Sequence, residues 1–172
     1  GCDISFDVGL IERFGLSVHA FDPTPKSIEW VQAMELPSQF HFHEFGVFSS
    51  DGTIEFFPPA NANHVSYSSG QSNHARKGSV ELPVKRVSSV MQEFGHPGID
   101  ILKLDIEGAE YVVLDDLIDS GVCPAQILVE FHHRIQRSGV EKTKKAVERL
   151  LDQGYRIFYM SCLGEEFSFL KV

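Results

Sequence analysis

The sequence predicts a doubly wound α/β fold, with a mostly parallel sheet and an antiparallel last strand, and three observations carry that prediction. Short apolar runs alternate with stretches of helical periodicity along the chain, the pattern of strand and helix units built around a parallel sheet. Ile101, Leu102 and Leu104 form a nearly continuous apolar run, as expected of a strand buried on both faces. The last two strands have no helix between them, so the final one is expected to run antiparallel to its neighbour.

Ser5 is placed to cap a short helix with apolar positions Phe6, Leu10, Ile11 and Phe14, and Gly15 supplies a left-handed stop. A strand over 18–21 ends at Asp22. Thr24 then precedes a proline at the first helical position, and Ile28, Trp30, Val31 and Met34 continue that helix towards Pro37. Phe40, Phe42 and Phe45 mark a third strand, and Asp51-Gly52 is a hairpin signal before a strand over 53–57. Residues 58–79 have turn-forming composition and little apolar periodicity, reading as a lid, a binding loop or a disordered segment. With the hairpin they make an insertion at about 48–80 in a single domain spanning 1–172. A strand over 81–85, a helix over 87–94 and the strand over 100–105 follow, and then a helix with Ala109, Val112, Val113 and Leu117 that stops at Gly121. After a strand over 126–131, Val140, Ala146, Val147, Leu150 and Leu151 give an amphipathic helix ended by Gly154, and strands over 155–160 and 167–172 flank a turn at Gly164.

A net charge of −9 and a pI near 5.3 argue against nucleic acid or an anionic membrane as partner. The basic residues Arg137, Lys142, Lys144, Lys145 and Arg149 fall on or near one amphipathic helix, where a solvated face accounts for them. Cys2, Cys123 and Cys162 are an odd, widely spaced set without C-x-x-C, which favours reduced thiols and a cytoplasmic setting. No run reaches the length of a membrane span and no signal peptide is visible. The chain starts at Gly1 without methionine, so its natural amino terminus is expected upstream.

Chemistry is expected where Asp100 to Glu110 read D-I-L-K-L-D-I-E-G-A-E, a strand that ends in Asp105, Glu107 and Glu110 around a glycine. Ligands of open α/β sheets bind beyond the carboxyl ends of the strands, which puts Asp105 at the mouth of a cleft. Acidic residues in a first helical turn also favour the positive end of the helix dipole, which accounts for Glu110 and in part for Glu107. At the other end, Gly1-Cys2-Asp3 ahead of a helix and Asp22 at the end of the next strand form a sparse version of a Rossmann nucleotide site. Asp22 is equally well read as a turn residue before Pro23.

Together these segments resemble the FkbM-type family of S-adenosylmethionine-dependent methyltransferases over most of the chain. The resemblance rests on V-H-A-F-D-P-T-P at 18–25, F-G-V-F-S-S-D-G-T-I-E-F at 45–56, I-L-V-E-F-H at 127–132 and above all L-K-L-D-I-E-G-A-E at 102–110. It implies a Rossmann-like class I methyltransferase sheet with S-adenosylmethionine as cofactor. Gly1 and Asp3 would lie beside the methionine part, Asp22 on the ribose, and Gly46 and Val47 near the adenine, with Phe21 also in the cofactor site. The family's first strand is expected ahead of Gly1, outside this chain.

In such a fold the strands ending at Asp105 and His132 are neighbours, and side-chain parity puts Lys103, Asp105, Glu130 and His132 in one polar cluster. Asp105, Glu107, Glu130 and His132 are the catalytic candidates, with Lys103 expected to pair with Glu130 because an unpaired lysine in a buried strand is costly. His132 and the adjacent His133 point to opposite faces, so one of them at most serves the site. Asp105, Glu130 and His132 are also plausible ligands for a divalent metal such as magnesium or manganese, but no spacing is diagnostic and no metal is predicted. His41 and His43 read as the polar side of a strand, His64 and His74 as loop residues, and Tyr67 and Arg76 as candidate acceptor contacts. The implied activity is O-methylation of a hydroxyl on a sugar or other small metabolite. A nicotinamide-dependent oxidoreductase and a non-catalytic partner-binding domain are the alternatives, and the oligomeric state, a homodimer included, is open.

Overall fold

The computed structural model describes residues 2–56, 79–134 and 139–172. Gly1 and the loop candidates His64, Tyr67, His74 and Arg76 lie outside the described residues. The elements form where apolar spacing and glycine stops put them. Helix α1 (Ser5–Phe14) ends as Gly15 takes φ 65° and its N–H bonds to Ile11 O at 2.8 Å. Ser5 is the first helical residue rather than the cap: the Asp3 carboxylate accepts the Ser5 N–H at 2.9 Å. Strand β1 (Val18–Phe21) leads to α2 (Pro25–Gln32), with Thr24 before the proline as expected.

Next come β2 (Phe40–His43), β3 (Gly46–Val47), β4 (Gly52–Phe56), β5 (Val80–Lys85) and α3 (Val87–Phe94). The carboxyl-terminal half holds β6 (Ile101–Leu104), α4 (Glu110–Asp119), β7 (Gln126–Glu130), α5 (Gly139–Asp152), β8 (Tyr155–Met160) and β9 (Glu166–Lys171). Among the described residues the strands pair as three sheets: β1–β2, β3–β5–β4 and β6–β7–β9–β8. β1–β2, β3–β5 and β6–β7 are parallel, while β9 runs antiparallel to both β7 and β8, which bears out the reversed last strand.

Two expectations are corrected. Among the described residues β6 stands at the end of the strand order β6–β7–β9–β8, and along it Leu104 is buried but Lys103 is exposed. Lys103 makes no ion pair with Glu130; its charge acts instead on Asp3 and Asp7. The Asp51-Gly52 signal does not make a hairpin with the strand before it, because β3 and β4 both pair with β5. The Asp51 carboxylate accepts the Arg86 N–H at 2.8 Å and the Ser89 hydroxyl at 2.7 Å, capping the start of α3.

The main core lies on one face of the β6–β7–β9–β8 sheet, where alternation turns Ile127, Val129 and Phe131, and Phe167 and Phe169, towards Leu114, Leu117 and Leu150 of the helices. A smaller core of Ile11, Val31 and Phe40, with Trp30 and Phe42, sits between α1, α2 and the β1–β2 sheet. Arg86 forks onto Asp116 at 2.6 Å and ties the start of α3 to α4. No helix among the described residues is long and apolar enough to cross a membrane.

Asp51→Ala is expected to lower stability by about 1 kcal/mol, the usual cost of a lost helix cap, with Asp51→Asn retaining most of it. Urea unfolding measures this, and equal midpoints for wild type and Asp51→Ala would contradict the capping role.

Candidate active site

β6 ends at Leu104, and the chain enters α4 through a tight turn over 105–109. Glu107 has φ 51° and Gly108 φ 101°. Glycine takes such angles freely, but a non-glycine residue held there costs of order 1–3 kcal/mol, so something must impose it. The restraint is Glu110, whose Oε1 accepts the N–H groups of Ile106 at 3.2 Å and Gly108 at 3.0 Å. Glu110 is 0% exposed, and the same oxygen meets His132 Nδ1 at 2.8 Å, so the imidazole donates to it.

His132 follows β7, which lies parallel beside β6 in a register pairing Leu104 with Val129. Its Nε2 faces Glu107 Oε2 at 3.5 Å, Asp105 Oδ1 at 3.7 Å and Glu130 Oε1 at 3.9 Å. Three of the catalytic candidates therefore converge on the ring of the fourth. Burial works against a charged imidazole, but the hydrogen bond and charge of Glu110, and then Glu107 and Asp105, outweigh it and push the His132 pKa up to about 9. At neutral pH His132 is a cation, not a base. The Glu130 carboxyl is raised by its burial and then by the charge of Asp105. A cavity of about 210 Å³ opens beside these groups, lined by Lys103, Asp105, Glu130, Tyr159, Glu166 and Ser168.

Glu110 is the site residue that the helix-dipole reading undervalues. Its signal lay in the helix itself: Glu110, Leu114 and Leu117 recur at helical spacing, which puts Glu110 on the buried face of α4.

Of the cofactor candidates, Phe21, Asp22, Gly46 and Val47 lie in or just past strands β1 and β3 and Asp3 precedes α1, each with a local task. Asp22, past β1, takes the Thr24 N–H at 2.9 Å and the Thr24 hydroxyl at 2.7 Å on Oδ1, so the turn-residue reading holds. Burial opposes its charge, and the hydrogen bonds from Thr24 favour it. An ionised carboxylate at the carboxyl end of a parallel strand fits ribose hydroxyls chemically. Phe21 packs against His43 and Phe45 with ring centroids 4.9 and 5.4 Å away. Gly46 is tightly enclosed, since a Cβ there would stand 3.3 Å from Pro23 Cγ and 3.4 Å from Val84 Cγ1. Val47 packs against the main core, and Asp3 caps α1.

The model of the Methyltransferase FkbM domain matches residues 7–157. Probable methyltransferase-like protein 24 of Rattus norvegicus is 31% identical over 132 residues, and its Homo sapiens counterpart 30% over 132 residues. Each alignment covers 76% of this chain but 30% of the relative, so the chain spans under a third of those proteins. The crystal structure of methyltransferase FkbM from Methylobacillus flagellatus KT is similar in fold, with a TM-score of 0.55 at 14% identity, covering 99% of this chain and 41% of that one.

His132 is expected to titrate near pH 9 by ring-nitrogen NMR. Glu110→Gln keeps a carbonyl oxygen for the two backbone N–H groups but removes the charge, so the pKa should fall towards the ordinary value of about 6.5. Because the folded value is the raised one, the stability His132 contributes is fully present below about pH 6.5 and is lost as pH rises through about 9. An unchanged titration in Glu110→Gln would refute the electrostatic role.

Proposed function

The chain belongs to the FkbM methyltransferase family, and on that footing we propose that it methylates a hydroxyl of a sugar or similar small metabolite, with S-adenosylmethionine as donor. The observation that carries the reading is the convergence of Asp105, Glu107 and Glu130 on the His132 ring where β6 and β7 end. When bound, S-adenosylmethionine supplies a methyl group already activated by its sulfonium. What this chain must add is a hydroxyl held in line and a group to accept its proton.

His132 is charged and cannot take that proton. Its role is to hold Glu107 and Asp105 in place and to keep their mutual repulsion bearable. Asp105 and Glu130, 44% and 42% exposed, are the groups an acceptor hydroxyl reaches, and each can accept its hydrogen bond. Glu130 is the better base, because its raised pKa brings it nearer the operating pH. Beside the apolar Leu104, Leu128, Val129 and Phe167, the cavity presents carboxylates, Lys103, Ser168 and Tyr159 as hydrogen-bonding partners for an acceptor's hydroxyls. Asp22 would bind the cofactor's ribose hydroxyls, Asp3 would lie by the methionine part, and Gly46 and Val47 would lie near the adenine.

A second reading has its own observation. One ligand atom each from Asp105, Glu107 and His132 lies within 4.8 Å of the others, an oxygen and nitrogen set able to hold a divalent cation that orients the hydroxyl. Glu107 here replaces Glu130 in the expected set. A metal needs neutral His132, so a ring that titrates near pH 9, unmoved by magnesium, excludes this reading.

Asp22→Ala is expected to weaken binding of S-adenosylhomocysteine by about 1–3 kcal/mol, the cost of hydrogen bonds lost from a charged group. Calorimetric titration checks it, and undiminished affinity would remove Asp22 from the cofactor site. Glu130→Gln should cut kcat by roughly 10²–10⁴-fold with cofactor affinity retained, as for a lost general base. Unchanged turnover in that variant would shift the base to Asp105.

A further inference from the structure

A second group of titratable side chains lies on one face of the β1–β2 sheet. His19 from β1, His41 and His43 from β2, and His96 just past α3 pack around one another with Phe94. Register explains the gathering. His19 pairs with His41 and Phe21 with His43, so alternation turns these rings to one side and sends Val18, Ala20, Phe40 and Phe42 to the smaller core.

His19 Nδ1 and His43 Nε2 are 2.9 Å apart, with ring centroids 5.2 Å apart and planes 2° from parallel. Nitrogens come this near at that centroid distance only when the rings lie edge to edge in nearly one plane, sharing an N–H···N hydrogen bond. The bond needs one bare nitrogen, since two protonated rings would aim N–H at N–H. His41 and His96 each place a ring centroid 4.7 Å from that of His19, one tilted and one edge-on. The rings meet by faces and edges rather than aiming three nitrogens at a point, and the metal-compatible trio among the described residues lies elsewhere. Among the described residues the other charges acting on the cluster are Lys85 of β5 and Glu93 of α3, which are paired with each other, so that acidic group is already engaged.

We propose that this cluster is an acid-opened joint: protons taken up in mildly acidic solution break the His19–His43 bond, set imidazolium charges against one another, and release the end of α3 from the β1–β2 sheet. Burial first, and then the neighbouring imidazoles, hold His19 down to about 4 and lower His43 as well. A histidine freed from the joint protonates near 6.5, so the closed form is favoured above about pH 6.5 and loses that advantage as pH falls towards about 4. β1 leads to Asp22 and β2 to Gly46, so acid should also weaken cofactor binding. That consequence rests on the cofactor assignment above; the joint itself does not.

The test is hydrogen exchange by mass spectrometry on the whole chain at about pH 7.5 and about pH 5, corrected for intrinsic exchange rates. Protection in β1, β2 and the end of α3 should fall at least about tenfold more than in β7 and β9. The double variant His19→Phe with His43→Phe, which keeps aromatic packing but cannot take a proton, should abolish that difference. Equal loss in all strands, or no loss, would overturn the joint. Should the variant fail to fold, ring-nitrogen titration of the wild type decides: His19 and His43 taking up protons together between about pH 6.5 and about 4, over the range in which β1 and β2 lose protection, supports it, and each ring titrating independently near 6.5 overturns it. Loss of protection without loss of S-adenosylhomocysteine affinity would keep the joint and count against the cofactor assignment instead.

Discussion

The buried carboxylate of Glu110 is the interaction on which the rest of the site depends. A lone carboxylate with 0% exposure would be driven to neutrality by the cost of desolvation. Here one oxygen gathers the Ile106 and Gly108 N–H groups and the His132 imidazole, while the other, Oε2, is buried without a hydrogen-bond partner among the described residues. Those bonds force the chain through the left-handed angle at Glu107, and that angle aims Glu107 at the other side of the same imidazole. Fold and site are thus one object: the residue that starts α4 also sets the protonation state of His132 and the position of its partners.

The cluster is unusually acidic for its size, and its geometry shows why it is tolerated. Asp105 and Glu130 remain partly exposed, so water screens them, whereas Glu107 and Glu110 sit closer to the imidazolium. The shift of His132 from about 6.5 to about 9 corresponds to of order 3 kcal/mol favouring the charged ring, at about 1.36 kcal/mol per pKa unit. An arrangement of this kind holds the imidazole as a cation and leaves Asp105 and Glu130 as its more exposed carboxylates.

Much of this was legible in the residues. Glycine stops, the proline after Thr24 and apolar alternation located the elements, and parity placed Asp105 beside Glu130 and His132. What local pattern could not supply was partnership across the sheet. Lys103 looked buried because its neighbours are apolar, yet burial depends on what covers β6 rather than on β6 itself. Asp51 looked like a turn residue because its partners, Arg86 and Ser89, lie 35 and 38 residues away. Glu110 was read for its place in the helix dipole when its place on the buried helical face carried more weight.

The two histidine environments show how one residue type yields opposite responses. His132, ringed by carboxylates, binds its proton more tightly folded than unfolded, and so contributes less as the solution becomes alkaline. His19, packed among other imidazoles, binds its proton less tightly folded than unfolded, and so works against the fold as the solution becomes acidic. Between about pH 6.5 and about 9 both rings are in the state their surroundings favour. The carboxylate site and the β1–β2 sheet thereby share a pH window, set on one side by carboxylates around an imidazole and on the other by burial among imidazoles.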